Sequence, residues 1–247
     1  MKIDKKVLAI FLVILGASVT ISIVGSYYIF DALNPEESKT WTEEFNIEDC
    51  TFSTTGNNTY FILEIGYQLT LEGVDEGDNV KLVITVLDET EWVGGYETRV
   101  VQENETVNGE VIEISRNFFA ICEETKSVFY FGEDVDIYEN GIVVLNGSEA
   151  GAWRAFEGDN RPGIIMPGLT LIGARYYQEI APGVAMDRAE IIDNNATITI
   201  PFGTFEGCLI IRETTPVEPN ALEYKYHAPG IGLIIDEVLE LQQYGFL

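Results

Sequence analysis

The stretch Leu63-Glu64-Ile65-Gly66-Tyr67-Gln68-Leu69-Thr70-Leu71-Glu72 alternates apolar and polar residues along its length. A period of two puts Leu63, Ile65, Tyr67, Leu69 and Leu71 on one face of a half-buried β-strand. Val80, Leu82, Ile84 and Val86 repeat the pattern with Lys81 and Thr85 between them. Farther on, Ile198 and Ile200 alternate with Thr197 and Thr199, and Tyr224 and Tyr226 with Glu223 and Lys225. Thr, Val, Ile and Tyr dominate these runs, as a pleated surface favours.

The punctuation agrees with strands. Asn108-Gly109 and Asn140-Gly141 each sit between apolar segments, the strongest short signal for a tight hairpin turn, and Gly94-Gly95 is another candidate. Ala181-Pro182-Gly183-Val184 returns as Ala228-Pro229-Gly230-Ile231, each time after a tyrosine-rich segment, and Pro-Gly suits a type II turn. Roughly ten to twelve short strands joined by hairpins follow from this spacing. The fold class is therefore all-β, an antiparallel meander forming an open or closed barrel, with a two-sheet sandwich as the alternative. The only helix expected after residue 40 is a last turn around Val238 to Gln243.

Ahead of the sheet, Val7 to Phe30 carry no charge, with Lys2, Lys5 and Lys6 before them and Asp31, Glu36 and Glu37 after. A helix of that length reaches about 36 Å, enough to cross a hydrocarbon core of about 30 Å. The expected organisation is a cytoplasmic stub (1–6), a single transmembrane helix (7–30), a linker (31–40) and an extracytoplasmic β-rich domain (41–247). The lysines hold the N-terminus in the cytoplasm, so the lipid bilayer is the first expected partner. A cleaved signal peptide is the competing reading; the length of the run and its aromatic end, Tyr27-Tyr28-Ile29-Phe30, favour an anchor.

The formal charge is −27; three lysines and one aspartate in the first six residues give +2, leaving −29 for the rest. So acidic a domain repels nucleic acid and anionic headgroups, which excludes nucleic-acid binding. The acidity reads first as a solvated surface kept soluble by self-repulsion, and second as attraction for a cationic or divalent-ion partner. Asn57, Asn104, Asn146 and Asn195 begin Asn-X-Ser/Thr sequons, candidates for glycosylation on an exported surface. Cys50, Cys122 and Cys208 allow one disulfide among three pairings, or three buried thiols.

Chemistry-bearing motifs are scarce. His227 is the single histidine and reads as structural; there is no zinc spacing, nucleophile elbow or phosphate loop, so no catalytic residue and no cofactor is expected. Asp134 and Asp136 are the candidate metal ligands, although the apolar residues between them suit a strand with a wet face better than a calcium loop. The segment Trp153 to Gly168 breaks the strand rhythm and carries Trp153, Phe156 and Met166. It reads as a loop plugging one end of the sheet, or as a lid over a small apolar ligand contacted also by Tyr176 and Tyr226.

Tyr226-His227-Ala228-Pro229-Gly230-Ile231-Gly232-Leu233, preceded by Gly203-Thr204-Phe205-Glu206-Gly207-Cys208-Leu209, resembles the closing pattern of a group of exported bacterial and archaeal proteins, many of them lipoprotein-like. Phe129 to Asp136 and Ala174 to Ile180 are similar to segments of the same group. The resemblance implies an antiparallel open-barrel fold and no particular activity. This chain departs from the lipoprotein members in lacking a lipidation cysteine. Function is thus expected to be a non-catalytic cell-surface or interaction domain. The alternatives are a binding module for an apolar or amphipathic ligand, and a carboxylate- or metal-dependent hydrolase using Glu133, Asp134, Asp136 and Asp187.

Overall fold

A computed structural model describes residues 40–247. The expected stub, the transmembrane segment and all but the last linker residue lie outside the described residues. Among the described residues no helix is long and apolar enough to cross a membrane. Three short strands come first, β1 (Phe52–Ser53), β2 (Gly56–Asn58) and β3 (Phe61–Leu63), the last two pairing as a hairpin. The meander then runs through β4 (Tyr67–Asp75), β5 (Asp78–Val93), β6 (Tyr96–Val107), β7 (Glu110–Cys122) and β8 (Val128–Glu139). Both β9 (Ile142–Asn146) and β10 (Trp153–Arg154) fold back on β8, and β11 (Arg161–Met166) extends the sheet. The chain continues as β12 (Arg175–Tyr177), β13 (Glu179–Ile180), β14 (Arg188–Ile200), β15 (Gly203–Thr214), β16 (Glu223–Ala228), β17 (Gly232–Asp236) and β18 (Leu239–Phe246).

All pairings between these strands are antiparallel. The last strand returns to the first long one, with Glu240 opposite Glu72 and Phe246 opposite Tyr67. The remaining gap is spanned by one stretch of chain: β12 pairs with β14, while β13 pairs with β11. The two edges of the sheet are therefore joined through a single residue, Gln178. The result is a nearly closed barrel. Gly163 lets the seam close, because a β-carbon there would lie 2.4 Å from the Gln178 carbonyl.

One barrel end is plugged. The β2–β3 hairpin lies across it, with the Tyr60 hydroxyl donating to the Gly207 carbonyl (2.9 Å) and the Gly230 N–H to the Thr59 carbonyl (2.8 Å). A disulfide from Cys50 to Cys122 ties this N-terminal segment to the end of β7, and Cys208 is left as a buried free thiol. Phe52 meets Tyr96, Phe129 and Phe131 edge-on at 5.2–5.3 Å, adding aromatic contacts to the same attachment.

The expected turns have the required backbone. Asn108 and Gly109 take φ of 51° and 85°, Asn140 and Gly141 51° and 74°, the left-handed pair of a mirror-image hairpin turn. In the Pro-Gly turns Gly183 and Gly230 have φ of 79° and 74°, and Ile231 N–H donates to the Ala228 carbonyl (3.2 Å).

Three expectations differ. Residues 64–67 form a turn, with Tyr67 N–H donating to the Glu64 carbonyl (3.0 Å), so Ile65 points to solvent and the strand begins at Tyr67. The alternation there runs through a turn, which periodicity alone does not distinguish from a strand. Val238 to Gln243 is not a helical turn: β18 begins at Leu239, held by its ladder with β4. Finally, the segment from Trp153 to Gly168 is not one loop, since β10 and β11 lie within it.

Candidate functional site

The barrel is not filled. A cavity of about 240 Å³ runs along its interior, floored near the plugged end by Tyr60, Phe61 and Ile62. A second cavity of about 100 Å³ adjoins it toward the opposite end, sharing Glu103, Glu113, Glu223 and Lys225, and is rimmed by the exposed residues Glu237 and Val238. Lumen and mouth have two unlike walls. Tyr67, Leu69, Ile84, Val86 and Val101 give β4–β6 an apolar side. Carboxylates make up much of the rest: Glu103, Glu113, Glu133, Glu179, Asp187, Glu213 and Glu223 in the main cavity, with Asp75, Glu105, Asp236 and Glu237 around the outer one.

Strand geometry forces these groups inward. On β16, Glu223, Lys225 and His227 share the lumen face, so Tyr224 and Tyr226 face outward. The register sets like charges side by side: Glu105 lies directly opposite Glu113, and Glu213 directly opposite Glu223. Such pairs destabilise a sheet unless a proton or a cation stands between them. Lys225 is the only cation among the lumen-lining residues, with Nζ 3.2 Å from Glu213 and 3.8 Å from Asp236. Burial works against its charge, but Asp236, Glu213 and Glu223 hold it well above the usual lysine range.

One ammonium cannot neutralise this set, and protons make up the difference. Burial pushes Glu113 and Glu223 up to about 9 and Glu103 and Glu105 up to about 7. Glu133, Glu179 and Asp187 are also raised, by burial first and by neighbouring carboxylates second. Burial and the charge of Lys225 push His227 down to about 3, so its imidazole is neutral.

These shifts fix a pH dependence. Unfolded carboxyls titrate near pH 4.3, whereas these hold their protons to higher pH when folded. The folded state therefore binds more protons between about pH 4 and 9. Their contribution to stability is complete below about pH 4 and is lost as the pH rises through each folded value. Glu190 has the opposite sign: although burial opposes it, hydrogen bonds from Arg175 and Arg212 hold it low, so its contribution is lost on acidification. The raised groups outnumber it. The urea midpoint at pH 5 should exceed that at pH 8.5, in salt high enough to screen the surface; equal midpoints would mean that the lumen carboxylates ionise freely.

Three buried polar atoms on the lumen wall have no partner: Gln178 Oε1, an acceptor, together with Glu179 Oε2 and the ring nitrogen Nδ1 of His227. The Gln178 amide is fixed by its other end, Nε2 donating to Glu213 (2.6 Å), so its carbonyl oxygen stays free. The indole N–H of Trp153 faces Glu179 without hydrogen-bond geometry. Unpaired buried polar atoms cost about 1–3 kcal/mol each and call for hydrogen-bond partners.

No protein-family model, characterised protein or solved structure matches the chain. The site is read from its own chemistry.

The expected ligand contacts are placed unequally. Met166 lines the lumen. Trp153 is buried outside the lining, edge-on to Tyr130 at 5.3 Å, and Phe156 lies half exposed against Tyr96. Tyr176 is buried with its hydroxyl unpaired, and Tyr226 sits on the outward face of β16. Of the carboxylates expected to converge, Glu133 and Asp187 line the cavity. Asp134 and Asp136 occupy the opposite face of β8 from Glu133, and Asp134 pairs there with Arg154 (2.7 Å). Asn57, Asn146 and Asn195 are exposed, whereas Asn104 is half-buried with its Oδ1 enclosed. Glu103, Glu105, Glu113, Gln178, Glu179, Glu213, Glu223 and Lys225 were not expected at a site. One signal for them existed: Gln102-Glu103-Asn104-Glu105-Thr106 is polar at both parities in the middle of a strand, which leaves no apolar face to bury.

Proposed function

We propose that the protein is a membrane-anchored, extracytoplasmic binding barrel that takes a small organic cation, rich in N–H donors, into its lumen. The observation that carries this reading is the convergence of three unpartnered buried polar groups, Gln178, Glu179 and His227, on a cavity walled by carboxylates. An ammonium or guanidinium group supplies the positive charge that ionised carboxylates attract and N–H donors for Gln178 Oε1. The apolar wall of Leu69, Ile84 and Val86 suits an alkyl segment of the same molecule. The volume favours a ligand on the order of ten heavy atoms, at the roughly 30 Å³ each that a water occupies. Among the described residues, only Cys50, Cys122 and Glu124 cluster tightly enough to hold a metal, and both sulfurs are spent in the disulfide. That favours an organic cation over a divalent ion. The 24-residue uncharged run supports the anchor.

Spermidine and agmatine are suitable probes. At concentrations about 100-fold above Kd, binding adds about 2.7 kcal/mol, a rise in Tm of about 5–10 °C for a chain this size. Glu179→Gln should reduce that rise. No shift beyond that of sodium chloride at matched ionic strength would contradict the proposal. A carboxylate-dependent hydrolase is the second reading, favoured by the contact of Glu179 with Asp187 in the same lumen.

A further inference from the structure

A sector of the plugged end carries no charge. Met166 to Ala174, Ile200 to Phe205, Ala228 to Ile234 and Gln242 to Leu247 together contain no Asp, Glu, Lys or Arg, in a chain where 22% of residues are charged. These segments bring large apolar side chains to the surface: Leu169 is 72% exposed, Leu171 58%, Ile172 64%, Phe202 46% and Phe246 66%. They form one region. Asn58 Nδ2 donates to the Pro167 carbonyl (3.0 Å), setting the 167–174 loop beside the plug. Asn194 Nδ2 donates to the Thr170 carbonyl (2.8 Å), so the loop lies along the β14–β15 hairpin whose tip bears Phe202. Phe202 in turn meets Tyr244 at 5.8 Å, and Phe246 meets Tyr67 at 5.3 Å. Exposed apolar side chains gathered at one end of a domain this acidic mark a contact face.

The chain's own course says what the face meets. Thr42 pairs in parallel with Tyr176, its N–H donating to the Arg175 carbonyl (3.0 Å) while Tyr177 N–H donates to the Thr42 carbonyl (2.9 Å). Going backward from Thr42 therefore leads along β12 toward Gly173, Ile172 and Leu171. The linker of residues 31–40 reaches at most about 35 Å. The described chain thus begins beside β12, which leads into Leu171 and Ile172 of the uncharged sector, and the apolar run 7–30 precedes it by no more than ten residues.

We infer that the uncharged sector of the plugged end is a lipid-contacting face, which seats the barrel on the bilayer entered by its own N-terminal segment. The inference rests on the anchor reading. Charge complementarity favours it: anionic headgroups repel the carboxylate-rich mouth more strongly than a sector whose exposed acids, Glu123, Glu124 and Glu206, lie only at its margin. Leu169, Leu171 and Ile172 then enter the headgroup region, and the lumen opens away from the membrane.

The test uses the full chain in liposomes of phosphatidylcholine with a minor fraction of phosphatidylglycerol. Because Cys50 and Cys122 are bonded and Cys208 is buried, a new surface cysteine is the reactive one. A nitroxide is placed at Leu171→Cys, Phe202→Cys or, as control, the exposed turn residue Ile142→Cys, and its collisions with oxygen and with a water-soluble nickel chelate are compared. The expected result is an oxygen-to-nickel ratio several-fold higher at 171 and 202 than at 142. Nickel access at 171 equal to that at 142 overturns the inference. So does shielding from both reagents, which would mean that the N-terminal segment or a second copy covers the face. If the chain fails to float with the liposomes, the anchor reading fails and the inference with it.

Discussion

Replacing Lys225 by Met should destabilise the protein by about 2–3 kcal/mol at pH 8, less than removing one partner from a fully buried ion pair because the Lys225 side chain is 29% exposed. Methionine keeps the unbranched shape and leaves Glu213 and Asp236 facing each other without the ammonium that lies 3.2 and 3.8 Å away. Glu223 and Glu103 lose the same neighbour, since Lys225 favours their ionised forms. The cost should shrink at pH 5, where Glu103 and Glu223 both hold protons and no longer need the lysine. Urea unfolding at the two pH values measures both quantities. A variant as stable as the parent at pH 8 would show that water or small ions already screen the lumen, and that Lys225 is not its central charge.

The second large effect belongs to the disulfide. Cys50 and Cys122 close a loop with a sequence separation of 72, for which chain entropy gives about 4 kcal/mol. Cys122→Ser should lose that amount, and treating the parent with a reductant should reproduce it. The structural consequence is local before it is global, because residue 50 leads directly into the strands that plug the barrel. Amide exchange at Tyr60 and Leu63 should accelerate more than exchange at Leu209 or Ile211 on the far wall. Uniform acceleration would mean that the plug and the barrel open as one unit.

How much of this could be read in the sequence depended on which face of each strand is wet. On β4 and β5 the apolar parity faces inward, so Leu69, Leu71, Val80, Leu82 and Val86 were legible as a buried face, and all are buried. The Asn-Gly and Pro-Gly turns were legible because glycine and asparagine tolerate backbone angles that other residues resist. On β16 the same alternation misleads. Period two says that two faces differ, not which one is inside, and here the charged parity points into a cavity while the tyrosines face out. The reading of the acidity as a solvated outer surface failed for the same reason at Glu133 and Asp187. The aromatic segment after β9 suits a plugging loop, or else a lid, by its composition, yet β10 and β11 run through it and Trp153 and Phe156 pack against Tyr130 and Tyr96 from outside the lining. The choice among three cysteine pairings is a tertiary fact, set by the approach of residues 50 and 122, and no local pattern carries it.

The account stands on a lumen that exchanges protons for an organic cation. Calorimetric titration of spermidine at pH 8, in two buffers of very different ionisation heat, tests it most directly. Saturable binding whose heat changes with the buffer is predicted, because carboxyls held protonated at that pH, Glu113 and Glu223 first among them, must release protons to meet the ligand's charge. Binding that is absent, or whose heat is identical in both buffers, would contradict the account.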